Sequence, residues 1–230
     1  MCSHEYLNKR ITIAIDGPAG AGKSTIARRL AERLGFVYID TGAMYRAVAL
    51  WALRTGVASS DMHRLERLAL EADIQFAPGG KGILLNGEDV TDAIRMPEVS
   101  EAASQVSMIP AVRRALVAKQ REIGEQASVV MEGRDIGTVV FPDAKVKIFL
   151  DAHPEARVSR RAMEASLPAE VVSEQIEERD RRDRTRAESP LVQAPDAVYI
   201  DTTGLTPEEV EEAVLRMVRE RTSNGKERTG

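Results

Sequence analysis

Residues 11–25 read ITIAIDGPAGAGKST. Isoleucines at positions 11, 13 and 15 mark a short buried strand, a glycine-rich turn follows, and Lys23-Ser24-Thr25 opens a helix with Ile26, Leu30 and Leu34 on one face. Gly17, Gly22, Lys23 and Ser24 fit G-x-x-x-x-G-K-[ST] in the strand-loop-helix setting that this motif requires. Glycines let consecutive backbone N–H groups turn inward around phosphate oxygens, and the helix N-terminus adds its partial positive charge. Gly17, Pro18, Ala19, Gly20, Ala21, Gly22, Lys23, Ser24 and Thr25 are therefore expected to cradle a nucleoside triphosphate. Lys23, expected to face solvent at the loop's mouth, would bridge the β- and γ-phosphates, and the Ser24 hydroxyl would face Mg2+. A chance glycine-rich turn would gain little from a lysine in that place.

Composition bounds what else the chain does. At 230 residues with 43% hydrophobic content it can bury one good core with an inserted lobe. A net charge of −4 argues against bulk nucleic-acid binding, which leaves a basic footprint. The arginines nevertheless cluster at 179–186, as suits a small phosphorylated substrate. The single cysteine, Cys2, can make no internal disulfide. The start carries no apolar core of signal-peptide length, and the longest apolar run, 47–53, is far short of a membrane span. A cytoplasmic monomer with no membrane or nucleic-acid partner is the expectation.

After the first helix, 36–39 reads as a second strand, and DTGAMYR opens a helix capped by Asp40 or Thr41 with Met44, Ala47, Val48 and Trp51 inward. Thr41 and Arg46 then lie at the carboxyl edge of the sheet, where ligands bind in open α/β folds. A helix at 60–73 is followed by 74–76, the turn PGGKG, 83–85 and Asn86-Gly87, a small antiparallel element interrupting the βαβ grammar. Two helices, 97–108 and 110–126, each with proline near the first turn, carry Ser104 and Arg113. A third core strand at 129–131 is expected to end before Glu132, Arg134 and Asp135, with fourth and fifth strands at 145–150 and 197–200. Five apolar runs separated by helices imply a parallel sheet covered on both faces.

Between the last two strands lies EERDRRDRTRAESP, in which Arg179, Arg182 and Arg186 recur at helical spacing and Asp183 falls four residues after Arg179. Standing alone, such a run reads as a solvated helix with internal ion pairs. Beside a phosphate loop it reads as a lid. Its arginines would face water until phosphates arrive and then close over the transferring group. A last helix at 206–221 turns Val210, Ala213, Val214 and Met217 inward, and 223–230 reads as a frayed tail.

GPAGAGKST, DTGAMYR, AASQV, EGRDIGTVVFPDAKVKIFLDA and ERDRRDRTRAESPL, in this order, resemble the bacterial cytidylate kinases, which pass a phosphoryl group from ATP to CMP or dCMP. The resemblance runs from about residue 11 to residue 217. It implies a P-loop nucleoside monophosphate kinase fold: a core at 11–60, 110–160 and 190–222, a β-containing nucleotide-binding insertion at about 61–109, and a short arginine-rich helical lid at about 161–189. Carried over by position, Thr41, Arg46, Arg134 and Arg186 look like the grip on the CMP phosphate. Arg179 and Asp183 look like ribose contacts, and Ser104, Arg113 and Asp135 like cytosine contacts. Glu132 stands where many members have Asp, and 162–178 is shorter than in some relatives.

The mechanism this implies is direct in-line transfer to a CMP phosphate oxygen, with Lys23, Mg2+, Arg134, Arg179 and Arg186 around the moving group. A P-loop kinase for UMP or AMP is the nearest alternative. A nucleotide switch is a different class; it would carry a guanine-selecting N-K-x-D near a strand end, whereas the one Asn-Lys pair, Asn8-Lys9, precedes the first strand.

Overall fold

The computed structural model describes residues 10–80, 82–165 and 167–223. Cys2, Asn8-Lys9 and most of the 223–230 tail lie outside the described residues. In chain order the elements are β1 (Thr12–Asp16), α1 (Lys23–Leu34), β2 (Val37–Asp40), α2 (Thr41–Arg54) and α3 (Met62–Glu71). Then come β3 (Ile74–Phe76), β4 (Ile83–Leu85), β5 (Glu88–Asp89), α4 (Pro97–Val106), α5 (Pro110–Gln126) and β6 (Val129–Gly133). A turn of π-helix at Ile136–Val140 leads to β7 (Val146–Asp151), α6 (Pro154–Ala165), α7 (Ala169–Thr185), β8 (Val198–Asp201) and α8 (Pro207–Ser223).

Five strands form one sheet in the order β2-β6-β1-β7-β8, and every pairing in it is parallel. Side chains alternate across a strand, so β1, β2 and β6 each feed two cores. Ile13, Ile15, Val130 and Ile148 meet Ile26 and Leu30 of α1 and Val214 and Val218 of α8. Ala14, Val129 and Met131 meet the other layer, where Met44 and Val48 of α2, Val99 of α4 and Leu116 of α5 are buried. Helices on both faces are what a fully parallel sheet needs, because neither face can be left to water.

β6 runs two residues further than 129–131. Ile15 pairs with Glu132, Asp16 with Gly133 and Asp40 with Glu132, so Glu132 belongs to the strand. The neighbours on both sides continue to offer ladder partners, and a polar side chain at a strand end does not stop the ladder.

The second sheet is β3-β4-β5, antiparallel throughout. Asn86 and Gly87 turn its β4–β5 hairpin with φ of 52° and 82°, the two positive angles a type I′ turn demands.

At the carboxyl edge of the parallel sheet the chain between β1 and α1 folds back on β7. Gly17 has φ 149°, and a Cβ there would lie 1.9 Å from the Leu150 carbonyl oxygen. Only glycine fits, and the loop rests directly on main chain.

Candidate active site

Lys23 opens α1, yet its side chain does not face solvent as the sequence suggested: it is 6% exposed, and Nζ donates to the Pro18 carbonyl at 2.7 Å. The loop curls over its own lysine, because a buried ammonium needs an acceptor and the loop backbone supplies one. Burial, and then the nearby Arg134, push the Lys23 pKa down to about 7. Ser24 and Thr25, next on α1, are exposed. The Glu132 carboxylate, raised above its usual range by burial and by Asp40, takes hydrogen bonds from Tyr38 and Ser24. Thr41 Oγ1 donates to the Glu132 carbonyl at 2.7 Å, so α2 starts against the end of β6.

Asp40 caps α2 by accepting from the Ala43 amide at 3.0 Å and pairs with Arg46 at 2.7 Å. Burial pushes its carboxyl up, but Arg46 and the cap outweigh this and hold it below the usual carboxylate range. Arg46 sits behind Gly42, with Nη1 3.2 Å from where a Cβ would stand.

Beside this corner a cleft gathers the remaining residues singled out in the sequence. Thr41, Arg134, Arg179 and Asp183 line it together with Ser104, Arg113, Asp135 and Arg186. They come from α2, α4, α5, the end of β6 and α7, with about 470 Å3 of atom-free space between them, part of it open to solvent. Arg113 and Asp135 form a buried ion pair, 3% and 8% exposed by side chain. Arg134 Nε donates to Asp183 at 2.7 Å. Burial pushes the Asp183 carboxyl up, but Arg134, Arg179 and Arg186 together hold it below the carboxylate range. Burial and Arg134 bring Arg179 down to about 10, which leaves it charged at neutral pH.

Two expectations about the lid helix change. Arg186 does not face water: it is 5% exposed, its Nη1 lies 3.5 Å from Asp183 and its Nη2 3.8 Å from Asp135. Arg182, on the same expected face, turns away to Glu178 at 2.7 Å, Glu101 at 2.8 Å and Ser104 Oγ at 3.1 Å. Carboxylates of α7 and α4 lie within its reach and claim it.

Several supporting residues escaped the reading of the sequence. Asp16 ends β1 and accepts from the amides of Ile136 and Gly137 at 2.8 and 2.7 Å. It thereby anchors the turn that follows Arg134 and Asp135. Burial drives its pKa up to about 6 in spite of those two amides. Arg157 of α6 donates to the Ala19 carbonyl at 3.1 Å and to Asp180 of α7 at 2.6 Å. Arg160 holds Thr202, whose hydroxyl reaches the Ala21 carbonyl at 3.3 Å. A lone acid closing an apolar strand just before Gly17 was a usable signal for Asp16; the two arginines gave none, because their partners are distant in sequence.

The geometry thus joins the glycine-rich loop before α1 to a cleft lined by paired arginines and aspartates. The family model of cytidylate kinase matches residues 13–220. A cytidylate kinase from Solibacter usitatus is 64% identical over 226 residues, covering 95% of this chain and 97% of that one. One from Pelotomaculum thermopropionicum is 51% identical over 96% of this chain and 99% of its own. The solved structure of an uncharacterized protein from Eubacterium ventriosum superposes with a TM-score of 0.53 at 13% identity, covering 92% of this chain and 99% of that one, and bears on the fold alone. With a family match spanning both the loop and the cleft, and relatives matched over nearly their full length, this chain belongs to the cytidylate kinase family.

Proposed function

We propose that the enzyme transfers the γ-phosphoryl group of ATP to the phosphate of CMP or dCMP, giving CDP or dCDP. The observation that carries this reading is the placement of the Arg113–Asp135 pair and Ser104 in the same cleft as Arg134 and Arg179, which border Lys23 electrostatically. One end suits a polar base and the other a phosphate. Residues 61–109 would hold the acceptor nucleotide, 161–189 would close as the lid, and the rest would form the core.

The attacking CMP oxygen is anionic at neutral pH, so the chain supplies no strong base. Its work is alignment and charge neutralisation. Gly17 to Thr25 cradle the ATP phosphates, with Lys23 beside the bridging oxygens. Arg134, Arg179 and Arg186, with Arg46 and Thr41, orient the acceptor phosphate and draw off the charge that spreads over the transferring group. Asp183 and Arg179 face the ribose, and Ser104, Arg113 and Asp135 face the cytosine.

Mg2+ fits the oxygens present. Ser24 Oγ is exposed at the cradle and the Glu132 and Asp40 carboxylates stand near Lys23, all hard donors. Among the described residues no three acids, histidines or cysteines gather to hold a metal unaided, as suits an ion that arrives with nucleotide phosphates. When bound, it neutralises charge on the β- and γ-oxygens.

We place the enzyme in the cytoplasm as a monomer acting on small nucleotides; no helix among the described residues is long and apolar enough to cross a membrane. The test is ADP release from ATP and Mg2+ with CMP, dCMP, UMP, AMP, GMP or no acceptor. CMP and dCMP should lead, with near silence when no acceptor is present. Faster turnover with UMP or AMP would move the assignment to another acceptor, and equal turnover without any would make the protein a nucleotide switch.

A further inference from the structure

Tyr45 lies one turn after Thr41 on α2 and brings its ring into the acceptor cleft, where it is 9% exposed. The Arg113 guanidinium carbon stands 5.4 Å from the ring centroid, so the ring's face is already taken. Its hydroxyl is not: among the described residues the Tyr45 oxygen is buried with no hydrogen-bond partner. The same holds for Arg113 Nε and Arg186 Nη2. Asp135 and Asp183, the nearby carboxylates, are engaged by Arg113 and Arg134.

Buried polar atoms without partners are uncommon, and each one calls for an explanation. Here they converge. The Tyr45 hydroxyl and the Arg113 Nε–H, on residues that line one cleft, lack an acceptor, and Arg186 Nη2 has only the Asp135 carboxylate at 3.8 Å; a bound ligand that brings acceptor lone pairs would satisfy them. Burial pushes the Tyr45 phenol up to about 12, with Asp135 adding to the shift and Arg113 opposing it, so at neutral pH it carries its proton.

We infer that the Tyr45 hydroxyl donates a hydrogen bond to the O2 carbonyl of the acceptor pyrimidine, a substrate contact beyond Ser104, Arg113 and Asp135. This rests on the reading of CMP as acceptor. Cytosine and uracil differ at position 4 and in the N3 proton but share O2. Tyr45 therefore contributes affinity for a pyrimidine nucleotide and no preference between the two bases, which separates it from Asp135.

The experiment is Tyr45→Phe, which removes one oxygen and leaves the ring against Arg113. KM for CMP and for UMP should both rise about three- to tenfold, the worth of one neutral hydrogen bond. Their ratio, kcat and KM for ATP should hold within about twofold. Without nucleotide, Tm should stay or rise, because the deleted hydroxyl had no partner to lose. An unchanged KM for CMP, a rise confined to CMP, or a lower Tm with KM for ATP disturbed would each overturn the inference. Wild-type enzyme assayed alongside separates the two readings: if it is silent with CMP, the acceptor assignment fails and this contact with it, whereas an active wild type matched by Tyr45→Phe sinks the contact alone.

Discussion

Arg157 of α6 and Asp180 of α7 face each other at 2.6 Å, buried, and the same guanidinium donates to the Ala19 carbonyl of the glycine-rich loop before α1. Helix α7 is therefore tied to the loop between β1 and α1 through one side chain. Asp180→Ala would leave that guanidinium buried without its close carboxylate, held by the Ala152 and Ala19 carbonyls and with Asp151 at 3.9 Å, which costs on the order of 3 kcal/mol. At this chain length Tm should fall by about 6 to 12 °C. A variant that melts like wild type would mean that water replaces the carboxylate without loss.

Lys23→Ala should lower kcat by roughly a hundredfold or more, the scale of losing one preorganised donor at a developing charge. Far-ultraviolet circular dichroism should be unchanged, since the Pro18 carbonyl can turn to water once the loop relaxes. Near-normal kcat would refute the assignment of the cradle.

Lys23 also predicts a proton balance. With its pKa near 7 in the free protein, it is largely neutral at pH 8, and the triphosphate should restore its charge. ATP binding at pH 8 should take up close to one proton, and at pH 6, where Lys23 is already protonated, this residue should take up almost none. For stability the sign is the reverse of a paired lysine's. Between about pH 7 and the ordinary lysine pKa the unfolded chain binds the extra proton, so this group makes the free fold more stable as pH rises through that window. Calorimetry in buffers of different ionisation enthalpy measures the uptake, and uptake that survives in Lys23→Ala would assign it elsewhere.

Base choice should sit on Asp135. Asp135→Asn keeps an oxygen for Arg113 but turns an N–H toward the cytosine amino group, donor against donor. kcat/KM for CMP should fall about tenfold or more while that for UMP stays nearly level, so the preference narrows. Equal falls for both nucleotides would make Asp135 a support for Arg113 that does not read the base.

What the sequence disclosed and what it hid divide by distance along the chain. The core strands apart from the end of β6, the start of α2 with its cap at Asp40 or Thr41, the Asn86-Gly87 hairpin and the strand-turn-helix from residue 11 to 25 are settled by neighbours a few residues away, and each was legible to that extent. Grouping Thr41, Ser104, Arg113, Arg134, Asp135, Arg179, Asp183 and Arg186 in one cleft came from the family resemblance, since no local rule joins α2 to α7. Burial of Lys23, the hold of Arg157 on Ala19 across 138 residues and the turning away of Arg182 to Glu101 across 81 depend on packing. A helical wheel placed Arg182 with Arg179 and Arg186, and only the position of α4 beside α7 reveals why it leaves them.

The missing side chain at Gly17 has a further consequence. Because the loop rests on the Leu150 carbonyl, the proposed phosphate cradle takes its position from the backbone of the sheet. Asp135 stands on the turn that Asp16, the residue before Gly17, holds through the Ile136 and Gly137 amides, whereas Ser104 and Arg113 stand on α4 and α5. On the proposed reading, the donor loop and the turn bearing Asp135 are therefore registered to each other through the end of β1, and only the base contacts on α4 and α5 are free to be re-selected apart from the phosphoryl donor.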